Sequence, residues 1–155
     1  MIELDFRHRL GPLLLQVQAS VPARGITAIF GRSGSGKTSL INAVAGLLKP
    51  DEGHIRVGGQ VFFDAAARVD LPMERRGIGY VFQDARLFPH LSVAGNLRYG
   101  LKRSARTAAI GFDAVVEVLG IAHLLKRRPH GLSGGERQRV ALGRALLRQP
   151  TLLLM

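Results

Sequence analysis

The feature that most constrains the fold is Gly31–Ser39, GRSGSGKTS, which fits the pattern G-x-x-x-x-G-K-[ST]. The apolar run Ile26–Phe30 precedes it and predicts a buried strand, and Lys37–Leu48 has the apolar pattern of a helix. A glycine-rich loop between a strand and a helix turns backbone N–H groups toward one point, where the helix N-terminus adds partial positive charge. The segment therefore predicts a phosphate-binding loop in an α/β fold.

Two side chains of this loop have distinct predicted roles. Lys37 can reach the β- and γ-phosphates of a nucleotide, and the Thr38 hydroxyl suits Mg²⁺. An accidental glycine-rich turn is the alternative, which the flanking strand and helix patterns disfavour. The residues expected to bind the phosphates of a nucleotide are Gly31, Arg32, Ser33, Gly34, Ser35, Gly36, Lys37, Thr38 and Ser39.

Residues before position 78 have a mainly strand-like pattern. Alternating apolar and polar residues predict strands at Ile2–Arg7 and Leu13–Val21. After a turn expected at Asp51–Gly53, the short runs Ile55–Val57 and Val61–Phe63 flank two glycines and predict a hairpin.

The later residues alternate between strand and helix patterns. Short apolar runs predict strands at Ile78–Phe82 and Thr151–Met155. Ser92–Leu125 is mainly helical in pattern, with a polar break at Lys102–Thr107, and Gly134–Arg148 predicts a helix after a glycine-rich turn. Strands separated by helices indicate an α/β sheet with an inserted helical segment.

Composition excludes several classes of protein. The 155 residues have the length of one domain, and 46% are hydrophobic. Apolar runs fall short of the roughly 20 residues that a membrane-spanning helix needs, and the N-terminus does not have the pattern of a secretory signal. A chain without cysteine has no disulfides. The net charge of +11 is scattered, which disfavours a non-catalytic nucleic-acid binder.

Leu132–Leu147, LSGGERQRVALGRALL, closely resembles the signature sequence of the ATP-binding cassette (ABC) ATPases. The resemblance implies that the start of this segment faces the γ-phosphate of an ATP held by a second cassette. Ser133 and Glu136 also have the spacing of a capping box, and both roles can hold together. The residues implied in nucleotide contact are Ser133, Gly134, Gly135 and Glu136.

Tyr80–Gly100 resembles the Q-loop region of the same family. The resemblance implies that Gln83 contacts Mg²⁺ and the attacking water, and that the following loop touches a membrane subunit. Lys37 and Gln83 are then the implied catalytic residues, with Thr38 and Gln83 at the metal. The family's switch histidine lies beyond the segments matched here, so no histidine takes that role, and His90 is expected on the loop surface.

An aromatic residue near the N-terminus stacks on adenine in this family. Phe6 and His8 are both candidates, and their spacing to Lys37 does not decide between them. Either side chain could instead pack against the small antiparallel subdomain.

The resemblance covers the whole chain and implies a P-loop NTPase core with an antiparallel β subdomain and an inserted helical subdomain. Residues 1–155 would form part of one ATP-binding domain. The core and β subdomain would comprise residues 1–83 and 134–155, and the Q-loop and helical subdomain residues 84–133.

Gly25–Ile55 and Gly79–Gly100 look most like cassettes of the molybdate-import group. The alternatives are a cassette for sulfate, iron, polyamines or sugars, or a fragment that only binds nucleotide; cassettes of DNA repair and translation usually carry larger insertions. The resemblance implies ATP and Mg²⁺ as cofactors, a homodimer of cassettes and an integral membrane permease, with a periplasmic oxyanion-binding protein as an indirect partner. The expected location is the cytoplasmic face of the inner membrane, with no nucleic-acid partner.

The apolar run Leu152–Met155 resembles the Walker B strand, which in the family leads directly into an Asp-Glu pair. The Asp holds Mg²⁺ and the Glu polarises the attacking water. Because the sequence ends before that pair, we expect a truncated cassette that binds ATP and has little or no ATPase activity. The chain is interpreted as part of a longer gene product.

Overall fold

A computed structural model describes residues 1–102 and 110–155. The chain divides into two compact units, Met1–Arg76 and Gly77–Met155, which are described in turn. The polar break predicted at Lys102–Thr107 lies outside the described residues, apart from Lys102. The separate helical subdomain predicted at residues 84–133 stays a prediction.

The first unit contains a five-stranded antiparallel sheet. Its strands are β1 (Ile2–Leu10), β2 (Leu13–Val21), β3 (Glu52–Val57), β4 (Gln60–Asp64) and β5 (Val69–Asp70). They lie in the order β2-β1-β3-β4-β5. The long hairpin of β1 and β2 confirms the two strands predicted near the N-terminus, with Leu10 opposite Leu13 across a tight turn.

Strand β3 begins where the sequence predicted a turn. Gly53 pairs with Phe6 of β1, and a Cβ added at Gly53 would lie 2.0 Å from the carbonyl oxygen of Asp5. Gly53 therefore allows the two strands to approach closely, and it has a φ of 90°. The turn predicted at Asp51–Gly53 is wrong, because Glu52 and Gly53 belong to β3. The hairpin predicted around two glycines is confirmed, because β3 pairs with β4 from Val57 and Gln60 onward.

Helix α1 spans Lys37–Ala45 and ends three residues before its predicted end at Leu48. Gly46 has a φ of 84°, and its N–H is directed to the carbonyl oxygens of Asn42 and Ala43. A left-handed glycine of this kind terminates a helix, because it returns the last N–H groups to the final turn. Local cap geometry, which the apolar pattern does not contain, sets the end of α1.

Ile26–Phe30 is not a strand in this structure, so the predicted buried strand is wrong. Ile26 is 99% exposed and Phe30 is 90% exposed. A strand of parallel type is buried only when neighbours pair with it and other layers cover its faces. Neither the sheet β1–β5 nor any other strand pairing among residues 1–102 and 110–155 includes this run. Its apolar residues therefore stay exposed despite their composition.

The described residues of the second unit form three α-helices and two short parallel strands. Strand β6 (Ile78–Tyr80) pairs with β7 (Leu152–Leu154), which confirms both predicted strands in shortened form. The helices α2 (Val93–Lys102), α3 (Phe112–Val118) and α4 (Gly134–Leu146) enclose the apolar core. Its buried members are Val93, Leu97, Val115, Val116, Ile121, Leu124, Leu132, Val140 and Leu147.

Two glycines let α2 and α4 approach closely. A Cβ added at Gly100 would lie 2.1 Å from the carbonyl oxygen of Arg144, and one at Gly143 would lie 2.8 Å from Leu97 Cδ2. Larger residues at either position would force the helices apart. Within the described part of the chain, no helix is long and apolar enough to span a membrane.

Candidate nucleotide-binding site

The loop before α1 has the geometry of an anion-binding loop. Gly34 and Gly36 have φ values of 79° and 89°, which side-chain-bearing residues rarely adopt. The N–H of Ser35 donates to the carbonyl oxygen of Arg32 at 3.2 Å and closes a turn. A Cβ added at Gly31 would lie 2.9 Å from Ser35 Oγ, so a larger residue there would require the Ser35 hydroxyl to turn away.

The first turn of α1 is open to a ligand. Its N-cap is Gly36, no side chain caps the helix, and its first turn has no acidic residue. A helix start of this kind presents backbone N–H groups and partial positive charge that no side chain has neutralised. A Cβ added at Gly36 would lie 2.9 Å from Leu15 Cδ1, so the helix start packs against β2.

Lys37 extends back over the loop. Its Nζ donates to the carbonyl oxygens of Gly31, at 2.9 Å, and Arg32, at 2.7 Å. Both acceptors are neutral, so the ammonium charge is not paired with a carboxylate by these bonds and remains available to a phosphate. Lys37 is therefore a residue that could meet the phosphates of a nucleotide.

Thr38 lies one residue after Lys37, exposed in the first turn of α1. An exposed hydroxyl beside the predicted phosphate-binding loop could serve as a ligand of Mg²⁺. Of the other loop residues predicted to bind ATP, Arg32, Ser33, Gly34 and Ser35 are exposed and Ser39 is half-buried. The structure therefore brings the predicted phosphate-binding residues together in one loop and helix start.

The start of α4 is built differently. The N–H of Glu136 donates to Ser133 Oγ at 3.3 Å, and the N–H of Ser133 donates to Glu136 Oε2 at 2.7 Å. This is the predicted capping box, which the structure confirms. The hydrogen bond from the Ser133 N–H lowers the pKa of the Glu136 carboxyl. Gly134 and Gly135 are exposed, with open space where a Cβ would lie.

Gln83 lies three residues after the end of β6 and is exposed. Its carbonyl oxygen accepts a hydrogen bond from Gln138 of α4. Ala85 and Arg86, which follow, have φ values of 60° and 42°. The sequence predicted a loop here, and the structure adds that this loop is bonded to α4.

The two candidates for adenine stacking occupy different environments. Phe6 is 1% exposed, so it presents no free ring face and instead packs within the antiparallel sheet. Of the two roles left open by the sequence, the structure therefore shows the packing role for Phe6. His8 has 17% of its side chain exposed, and its Nδ1 lies 3.3 Å from Asp51 Oδ1. A hydrogen bond from the Arg9 N–H is the main cause that lowers the pKa of Asp51.

Three residues with structural roles near these motifs have no signal in the sequence pattern. Arg76, 2% exposed, donates to the carbonyl oxygens of Ala43 and Val44 at 2.8 and 2.9 Å, at the end of α1 opposite the phosphate loop. Gln138 and Arg144 of α4 bond the loop that carries Gln83. All of these contacts join residues distant in sequence, so periodicity and spacing contain no trace of them.

The family model for ABC transporters matches residues 14–155. The Molybdenum import ATP-binding protein ModC of Pectobacterium atrosepticum is 62% identical over all 155 residues, which span 43% of its length. The proteins of that name from Haemophilus influenzae and Paramagnetospirillum magneticum are 56% and 58% identical. The chain spans 43% of each of these two relatives as well.

Solved structures of cassettes share the fold. The ATP-binding cassette MJ0796, in a dimeric post-hydrolysis state bound to ADP and Pi, matches with a TM-score of 0.75 and 27% identity. The match covers 99% of this chain and 72% of that one. An ATP-binding subunit of an ABC transporter matches with a TM-score of 0.79 over 98% of this chain and 64% of its own, at 22% identity, which supports the fold alone.

Proposed function

Because the chain belongs to the ABC transporter family, we propose that it is the ATP-binding part of an importer subunit that hydrolyses ATP to energise molybdate uptake. The observation that carries ATP binding is the open start of α1, where Lys37 lies over a glycine-rich loop. Molybdate as the transported solute is supported by the printed names of relatives at 56–62% identity.

Each motif has a proposed part in the reaction. Lys37 and the backbone N–H groups of Gly31–Ser39 hold the phosphates and offset their charge. Thr38 and Gln83 would hold Mg²⁺, and Gln83 would also orient the attacking water. When bound, Mg²⁺ supplies charge neutralisation for the transferred phosphoryl group.

The signature segment acts in a dimer of cassettes. Ser133, Gly134, Gly135 and Glu136 face the γ-phosphate held by the other chain, and each ATP lies between the two chains. Closure of the dimer on ATP shifts a membrane permease between two states, and hydrolysis resets it.

The proposed location is peripheral, on the cytoplasmic face of the membrane, with a periplasmic oxyanion-binding protein delivering the solute. Low turnover by the 155-residue chain itself stays a prediction.

The experiment introduces Lys37→Ala into the gene that encodes this sequence and measures uptake of labelled molybdate and labelled sulfate by cells. The variant should lose molybdate uptake and keep sulfate uptake, because Lys37 is needed for ATP binding. Lys49→Ala is the matched control, since Lys49 is an exposed lysine of the same unit with a 3.9 Å contact to Asp70. Loss of sulfate uptake with molybdate uptake intact would contradict the proposed solute.

A further inference from the structure

Gln138 of α4 is bonded to the backbone of the segment that carries Gln83. Its Nε2 donates to the carbonyl oxygen of Phe82 at 3.1 Å and also to that of Gln83. These acceptors are 56 and 55 residues away in sequence. The signature helix therefore contacts the predicted metal-binding residue through its main chain.

Arg144 holds the next part of the same segment. Its Nη2 donates to the carbonyl oxygens of Ala85, at 3.2 Å, and Arg86, at 2.9 Å. A guanidinium is planar and donates in fixed directions. Because both carbonyl oxygens accept from the same nitrogen, the hydrogen bonds fix the path of the backbone at Ala85 and Arg86. We name Gln138 and Arg144 together the α4 clamp.

The residues held by Arg144 are strained. Ala85 and Arg86 have φ values of 60° and 42°, in the left-handed region that costs a residue with a side chain about 1–2 kcal/mol. Strain of this kind persists only where surrounding contacts fix the backbone. The hydrogen bonds from Arg144 supply such contacts at both positions.

Arg144 itself is fixed by its surroundings. Its guanidinium lies 5.1 Å from the centroid of the Phe88 ring, and its Nη1 is 3.4 Å from Asn96 Oδ1. Asn96 is fully buried, and its Oδ1 also accepts from the Phe88 N–H at 2.8 Å. Arg144 is thus a preorganised donor whose position follows helix α4.

On its other side, the Gln83 segment continues from strand β6. The N–H of Val81 donates to the carbonyl oxygen of Leu154 at 2.9 Å, which extends the pairing of β6 with β7. Gln83 follows within two residues of this bond. It therefore lies between an attachment to the strands and an attachment to α4.

We propose that Gln138 and Arg144 are positioning residues that tie the Gln83 segment to helix α4 and set where the Gln83 side chain lies. The proposal rests on the function proposed above, in which Gln83 contacts Mg²⁺ and α4 begins at the signature. A shift of α4 on closure around ATP then moves Gln83 with the helix, which links the signature to the metal.

The test measures hydrogen exchange of individual backbone amides by NMR in the 155-residue chain. The Ala85 and Arg86 amides report on the clamp, because they donate within the clamped segment to the carbonyl oxygens of Phe82 and Asp84 at 3.0 and 2.7 Å. The Arg144→Met variant should speed their exchange about tenfold relative to the Val140 amide of α4, because local opening becomes easier. Arg144→Lys retains a donor and should restore part of the protection.

A matched control is Arg139→Met, since Arg139 lies on the same helix and donates to the carbonyl oxygen of Leu119 rather than to the clamped segment. It should leave exchange at Ala85 and Arg86 within about twofold of the unmodified chain. If Arg144→Met does not fold, Gln138→Met decides, and we expect about threefold faster exchange at Ala85.

Unchanged exchange at Ala85 and Arg86 in Arg144→Met, or in Gln138→Met where it decides, would overturn the proposal. Equal acceleration at Ala85 and Val140 would also overturn it, because the clamp would then act only on global stability. A separate ATP titration of the unmodified chain keeps the two proposals distinct. Failure to bind ATP there counts against the proposed function, whereas exchange at Ala85 decides the clamp.

Discussion

The starts of α1 and α4 both lie in motifs expected to contact phosphate, yet they are built in opposite ways. At α1, Gly36 caps the helix without a side chain and the first turn has no carboxylate. At α4, Ser133 and Glu136 bond each other's backbone, so two N–H groups of the helix start already have partners within the chain. A self-capped start has less to gain from an added anion. Under the function proposed above, α1 would provide the affinity for phosphate, and α4 would add contacts only when a second chain brings an ATP to it.

The largest expected effect on stability comes from Arg76, which holds the C-terminal end of α1. Arg76 bonds the carbonyl oxygens of Ala43, Val44 and Leu71 and lies 3.2 Å from Asp70 Oδ1. Arg76→Met should lower the free energy of unfolding by about 3 kcal/mol, because it leaves buried acceptors without donors. Denaturant unfolding followed by circular dichroism measures this loss.

The neighbouring Arg75 provides a control for Arg76, because it is exposed. Arg75→Met should change the free energy of unfolding by less than about 0.5 kcal/mol. Equal losses for the two variants would mean that Arg76 does not anchor α1.

The next effect compares one glycine from each helix start. Gly36→Ala should cost about 1–2 kcal/mol of stability, because a side chain would be placed at a φ of 89°. Gly134→Ala should change stability by less than about 0.5 kcal/mol, since Gly134 has open space around it and no positive φ. Thermal unfolding of both variants tests the difference. A larger cost at Gly134 would show that the start of α4, and not that of α1, depends on glycine.

A smaller effect is expected from the capping box. Ser133→Ala should lower the free energy of unfolding by about 1 kcal/mol, as removal of an N-cap side chain usually does. Ser39→Ala is a suitable control, because Ser39 lies within α1, past its side-chain-free cap. A neutral Ser133→Ala would contradict the description of α4 as self-capped.

The smallest effect is a pH dependence from Glu136. Its pKa is lowered in the folded chain, chiefly by the hydrogen bond from the Ser133 N–H. The carboxylate therefore contributes stability above the pKa of an ordinary glutamate, and this contribution is lost as the pH falls through the lowered folded-state value. Unfolding measured across the acidic range should show less pH dependence for Glu136→Gln than for the unmodified chain. An unchanged profile in this variant would sink the assignment.

How far the sequence predicts this structure depends on the range of the interactions involved. The strands β1 and β2 and the capping box follow from residues close together in sequence, and each was predicted. The strand predicted at Ile26–Phe30 is absent from the structure, where Ile26 and Phe30 are exposed. A buried strand needs pairing partners from elsewhere in the chain, which a local apolar pattern does not reveal. The early end of α1 depends on the backbone conformation of Gly46.

The same distinction applies to the candidate site. The motif at Gly31–Ser39 predicted a loop whose glycines, lysine and helix start the structure brings together. Arg76, Gln138 and Arg144 could not be predicted, because their hydrogen bonds to α1 and to the Gln83 segment join residues that are distant in sequence. Motif spacing therefore predicted the residues expected to meet a ligand, and the structure was needed to find those that hold them in place.

The most direct test of the difference between α1 and α4 is a calorimetric titration of Mg²⁺ and ATP into the unmodified chain, Lys37→Ala and Ser133→Ala. We predict that Lys37→Ala weakens ATP binding at least about tenfold, because it removes a charged donor to the phosphates. Ser133→Ala should stay within about twofold of the unmodified chain, because its helix start meets ATP only in a dimer. Equal weakening in both variants, or a stronger effect of Ser133→Ala, would contradict the account.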